Sequence, residues 1–195
     1  MSLPSKVTAF LLTIFLALLF VEGCTSMQPP GAEAMNKLRP GPNESLAMVL
    51  PAGGVQIYEC HARKDRSGEY EWMFVAPEAD LYDGHGAKVG SHYAGPHWES
   101  GDGSRIAGTL KERADAPQAG AIPWLLLAAK SVGPEGSMSR VTSVQRLHTV
   151  GGVAPQGGCS DATAGKQVRV SYTADYYFFT PSHPAAPASQ SAGMY

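Results

Sequence analysis

The sequence predicts an all-β fold, mainly antiparallel, built as a sandwich or barrel-like single domain with little helix. Three observations predict it. Apolar and polar residues alternate at period two in segment after segment. Those segments are short and separated by turn signals at Gly53-Gly54, Asp83-Gly84, Asp102-Gly103 and Gly151-Gly152. The span between the two chain ends, residues 44–180, has the length of one domain with a real core.

Taken from the N-terminus, residues 1–23 have the anatomy of a signal peptide. A polar start, Met1 to Lys6, precedes an apolar run from Val7 to Val21 that falls short of the roughly twenty residues a spanning helix needs. Val21-Glu22-Gly23-Cys24 closes the run as a bacterial lipobox. A cysteine directly after the cut takes acyl chains, and each buried methylene contributes about 0.8 kcal/mol. The expected partner is therefore the membrane, through a lipid anchor on Cys24. The expected location is the bacterial cell envelope, with the protein exported, anchored and facing the periplasm or exterior. Val21 and Gly23 also suit ordinary secretory cleavage at the same bond, and Glu22 is uncommon in such a box, so secretion without lipid is the alternative. Residues 24–43 follow as a lipidated cysteine and a flexible tether, marked by Pro29-Pro30-Gly31 and Pro40-Gly41-Pro42.

The chain has three cysteines, an odd number for an exported protein. With Cys24 acylated, Cys60 and Cys159 remain to pair as a disulfide; two free buried thiols are the alternative.

The strands predicted next are Leu46 to Leu50, Val55 to Cys60, Tyr70 to Val75 and Lys88 to Tyr93. Ile106, Gly108 and Leu110 alternate with Arg105, Ala107, Thr109 and Lys111 as one strand wetted on one face. Ile122 to Ala129 is a continuous apolar run whose Pro123 and length favour a buried strand over a helix. Val141 to Val150 follows. Val168, Val170, Tyr172, Ala174, Tyr176 and Phe178, alternating with Arg169, Ser171, Thr173 and Asp175, form the clearest strand. Residues 181–195 are poor in bulky apolar side chains and read as a disordered tail.

Composition removes some function classes. Lys and Arg number 15 against 17 Asp and Glu, with no basic run, so nucleic acid is not an expected partner. No nucleophile elbow, zinc-protease helix, phosphate loop or paired-cysteine metal site is present, and no cofactor is implied.

One dense constellation remains, from Asp83 to Ser104, with His85, His92, His97, Trp98, Glu99 and Asp102 among glycines. With Pro96 turning the chain, a hairpin sets His92 against Glu99, and a histidine beside a carboxylate is the equipment of a general base. A hydrolase using His92 with Glu99 or Asp102 is one reading. A copper or zinc protein using His85, His92 and possibly His97 is another. The plainer reading has Trp98 in the core, His92 bonded to a backbone carbonyl and Asp102-Gly103 as a turn. Trp72 and Trp124 are expected in the core. Tyr58, Tyr172, Tyr176 and Tyr177 serve either core packing or a stacking surface for sugars.

Several of these segments follow one another in a recognisable order: Gly54-Val55-Gln56-Ile57-Tyr58-Glu59-Cys60, then Trp72 with Ala76-Pro77-Glu78-Ala79, then His92-Tyr93-Ala94-Gly95-Pro96 with Trp98-Glu99. Ile122-Pro123-Trp124-Leu125-Leu126, Gln145-Arg146, Gly151-Gly152 and Tyr172 to Phe178 complete it. The order resembles the family called domain of unknown function 3455 and covers nearly the whole folded region. The resemblance implies the domain limits 44–180 and supports the Cys60 and Cys159 pair; it brings no activity with it. The family pattern more often has a small polar residue where His97 stands, which weakens a metal site built on His97. The expectation is a binding or structural module rather than an enzyme, for a small molecule, a glycan or an envelope partner, held by His92, Trp98, Glu99 and Asp102.

Overall fold

A computed structural model describes residues 31–182. Eight strands follow one another around a closed barrel, each antiparallel to the next: β1 (Glu44–Ala62), β2 (Tyr70–Tyr82), β3 (Lys88–Tyr93), β4 (His97–Ser100), β5 (Arg105–Ala114), β6 (Trp124–Ser131), β7 (Ser143–Gly151) and β8 (Gln167–Pro181). The ring closes where β8 pairs with β1 from Glu44↔Pro181 to Glu59↔Gln167. Of the two architectures the sequence allows, the barrel is the one formed. Pairing between β2 and β3 is confined to Ala79–Tyr82, so the first part of β2 pairs with β1 alone. The expected signal peptide, Cys24 and most of the expected C-terminal tail lie outside the described residues.

Period two decides what fills the barrel. On β8, Tyr172, Ala174, Tyr176 and Phe178 point inward and are almost wholly buried, as their alternation with Arg169, Ser171, Thr173 and Asp175 requires. Leu50 and Ala52 on β1, Ala79 and Leu81 on β2, Trp98 on β4, Ile106 on β5, Leu127 on β6 and Val144 on β7 join them in one cluster. An eight-stranded barrel is just wide enough for side chains to fill it or for one small ligand to replace some of them. Outward positions carry ion pairs instead, Arg169 with Glu78 and Lys88 with Asp80.

Four expectations need correction. Gly53-Gly54 is not a turn, because β1 runs unbroken through it. A Cβ on Gly54 would collide with the Glu78 carbonyl oxygen and Ala79, so glycine there permits close approach of β2. Leu110 is exposed although it continues the buried alternation of Ile106 and Gly108, because the register with β6 shifts between Leu110 and Glu112. Trp72 is only half-buried, its Nε1–H donating to the Gly157 carbonyl at 2.9 Å.

The fourth concerns the expected tether, residues 24–43. Its last part is ordered: a short helix α1 (Ala32–Lys37) leads to Leu38, which is completely buried on the outside of the barrel. Leu38 packs with Trp124, Leu126 and Leu147 in a second apolar cluster, and Gln145 donates to its carbonyl. Trp124 is thus buried as expected, but outside the lumen.

The two ends of the barrel differ. At one end, Asp102 in the β4–β5 turn accepts hydrogen bonds from the Ser104 N–H (2.9 Å), the Ser104 hydroxyl (2.6 Å) and the Ser137 N–H (2.7 Å). Ser104 in turn accepts from the Met138 N–H at 3.0 Å, and Met138 and Val141 are buried in the main cluster as a floor. At the other end, a disulfide between Cys60 of β1 and Cys159 fixes the β7–β8 loop to the rim.

Candidate functional site

The open end leads into the lumen, where two adjoining cavities share Phe74, Leu125 and Arg146 in their walls. The inner one, about 200 Å³, is walled by His92, Trp98, Leu127 and Tyr176, with Gly95 and Pro96 of the β3–β4 turn above. The outer one, about 340 Å³, is walled by Gln56, Tyr58, Ile122 and Pro123, with Leu110 and Arg113 at the rim.

Local register places these groups. The β3–β4 hairpin pairs Tyr93 with His97 and His92 with Trp98, so both His92 and Trp98 point inward. Their rings stack at 4.5 Å between centroids with 13° between planes, and Tyr176 closes edge-on to Trp98 at 5.6 Å. Gly108 makes room for the indole, since a Cβ there would lie 2.7 Å from Trp98 Cζ3. His92 Nδ1–H donates to the His97 carbonyl at 2.8 Å, which fixes the tautomer and leaves Nε2 as the lone-pair nitrogen. Burial lowers the His92 pKa from 6.5 to about 3, so the ring is neutral. Burial also pushes the Tyr58, Tyr172 and Tyr176 phenols above their ordinary value, with Arg146 pulling the other way.

The residues expected to work together divide between lumen and exterior. His92 and Trp98 line the inner cavity. Glu99 pairs with Ser91 on the outer face, where it accepts from the Tyr93 hydroxyl at 2.6 Å and meets Arg105 at 3.6 Å. Asp102 is taken up in the turn at the floor. Its bonds from Ser104 and Ser137 hold its carboxyl well below the usual carboxylate range. The His92–carboxylate dyad that the hydrolase reading requires is therefore not assembled, because adjacent residues of a strand point to opposite faces. His97 bonds the Ala94 carbonyl at 2.6 Å on the outside, and His85 sits in the β2–β3 turn. Among the described residues no three His, Cys, Asp or Glu side chains come together as a metal site. The Cys60–Cys159 pairing is formed, with 5.4 Å between Cα atoms.

Sequence reasoning passed over Arg146 and Gln56 as site residues. The signal for both was polarity on an inward-facing position: Arg146 follows Val144 at period two on β7, and Gln56 stands between Ala52 and Tyr58 on the inner face of β1. It also passed over His148, which meets Asp175 at 3.0 Å across β7 and β8 on the exterior.

The sequence model of a family described as "Protein of unknown function (DUF3455)" matches residues 40–180, from just before β1 to the end of β8. The chain belongs to the DUF3455 family. No curated protein and no solved structure matches it. The DUF3455 match takes in every strand and both lumen cavities.

Proposed function

We propose that this DUF3455 protein is a binding cup for a small, largely apolar molecule, displayed at the cell envelope by a lipid anchor on Cys24. The observation that carries the reading is the cavity pair inside a barrel whose one end is plugged by Met138 and whose other end is open. A protein selected only for stability fills its lumen, since empty apolar volume costs about 24 cal/mol per Å³. Here about 200 Å³ beside His92 and Trp98 stays open, with mostly apolar walls and a few polar groups, which is the composition of a ligand pocket. The alternative ligands, a glycan or an envelope protein, are less well suited to a mostly apolar chamber of this size. Export is supported by the Val21–Cys24 box, and by a disulfide that suits an oxidising compartment.

The test is calorimetric titration of the wild-type protein and of Leu125→Trp with 1-octanol. Leu125 walls both cavities and is only partly buried, so a larger side chain fills the cup with little strain. Saturable binding to wild type and its loss in Leu125→Trp are expected. Equal uptake by both, or none by wild type, removes the cup.

A further inference from the structure

The lumen carries charge of one sign. Arg146 is in the wall of both cavities, and Arg113 stands at the rim of the outer one; no Asp or Glu lines either cavity. The Arg146 guanidinium spends Nε–H and one Nη2–H on the Pro123 carbonyl, at 3.1 and 2.8 Å. A guanidinium has five N–H donors, so three are left for the Tyr176 hydroxyl and for a ligand. Among the described residues Arg63, Arg66, Arg105 and Arg169 form ion pairs, whereas Arg146 and Arg113, like Arg39 and Arg140 elsewhere, do not. Arg146 is partly buried without a counter-charge, which is costly, and its partners within the chain are the neutral Pro123 carbonyl and Tyr176 hydroxyl.

One further polar group is short of an acceptor. Trp98, 1 % exposed in the wall of the inner cavity, buries Nε1 without a hydrogen-bond partner, whereas the Gln56 amide in the wall of the outer one meets the Tyr172 hydroxyl. Buried donors left unmet cost about 1–3 kcal/mol each in a folded protein, and such groups are rare unless something outside the chain satisfies them. Arg146 asks for oxygen acceptors and for negative charge. The inner chamber, walled by Leu127, Trp98 and Tyr176, asks for an apolar body.

We infer that the cup selects an apolar monocarboxylate, its head paired with Arg146 where the two cavities meet and its body beside Trp98 and His92. The inference rests on the cup reading and adds the sign of the ligand to it. A guanidinium fork matches the two oxygens of a carboxylate, and the pair is strongest where water is excluded. Arg113 at the rim attracts the same charge to the mouth. Neutral His92 neither competes for the carboxylate nor repels it.

The test compares octanoate, phenylacetate, 1-octanol and octylammonium on the full-length protein by calorimetry at neutral pH. It is repeated on Arg146→Met, which keeps the apolar stem, and Arg146→Lys, which keeps the charge but not the fork. At least one of the two carboxylates should bind wild type roughly tenfold or more tighter than 1-octanol, and octylammonium should not bind. Octanoate ahead of phenylacetate marks an aliphatic acid as the natural body, the reverse an aromatic one; either order upholds the carboxylate. Arg146→Met should reduce carboxylate affinity to that of 1-octanol while 1-octanol binding stays, and Arg146→Lys should fall between. Should Arg146→Met not fold, the wild-type comparison of octanoate with 1-octanol decides alone. Carboxylate and alcohol binding equally well overturns the inference and leaves the cup. No binding by any of the four overturns both.

Discussion

Replacing His92 by Asn should flatten the acid side of the stability profile. In the unfolded chain the imidazole takes up a proton near pKa 6.5; in the barrel, buried against Trp98, it does so only near 3. Between those values the unfolded state binds more protons, so the full stability present above about pH 6.5 declines with acid until about pH 3. A shift of one unit corresponds to about 1.4 kcal/mol, which gives an upper figure near 5 kcal/mol over the whole window. The useful part is narrower, because carboxylates begin to titrate below about pH 4.5. From about pH 7.5 to about pH 4.5 the His92 contribution is about 2.7 kcal/mol. Asn supplies an N–H where Nδ1–H meets the His97 carbonyl and carries no titrating group. It leaves a small void whose cost does not depend on pH. Urea unfolding of wild type and His92→Asn at several pH values between these limits measures the difference. A wild-type loss exceeding that of the variant by about 2 to 3 kcal/mol is expected. Parallel profiles would refute the claim that His92 is held neutral by burial.

Three further perturbations probe what surrounds the cup. Removing the Cys60–Cys159 bridge by a double Ala substitution reopens a loop spanning 99 residues of sequence. The chain-entropy argument puts its loss at up to about 4.7 kcal/mol, read as a lower urea midpoint, and an unchanged midpoint would show the bridge to be dispensable. Trp98→Ala empties the centre of the lumen and should cost about 3–5 kcal/mol; a cost under about 1 kcal/mol would mean that Trp98 is not the packed wall described. Leu38→Ala should cost about 2–5 kcal/mol and speed proteolysis around α1, whereas unchanged stability and cleavage would restore the free tether that the prolines suggest.

The barrel was legible wherever one face of a strand is buried. Tyr172, Ala174, Tyr176 and Phe178 announce β8 because water on one side and core on the other leave a period that survives in the sequence. It was not legible where the chain serves a neighbour: Gly54 looks like a turn residue but is an accommodation to β2, visible only once Ala79 is opposite. The length and burial of residues 31–43 escaped for a similar reason. Prolines there signal an irregular chain, and nothing in Leu38 itself says that Trp124 and Leu147 leave an apolar patch outside the barrel for it to cover.

The candidate site turned on a single residue of register. Pairing Tyr93 with His97 across the turn sets His92 against Trp98; a slip of one would set His92 against Glu99 and bring histidine and carboxylate to the same face. The sequence holds both outcomes, and the Ala94-Gly95-Pro96 turn chooses between them. That choice removes the acid–base pair and builds an aromatic chamber in its place. It also changes what counts as anomalous in the chain. Once His92 and Trp98 line a lumen, Arg146 and Gln56 become polar groups on inward faces, and the guanidinium keeps donors that the surrounding side chains do not satisfy. Those donors direct attention from the glycine-rich stretch at Asp83 to Ser104 across the barrel to β1 and β7. The chemistry of the site is then set by residues from strands far apart in sequence, which no local spacing could have joined.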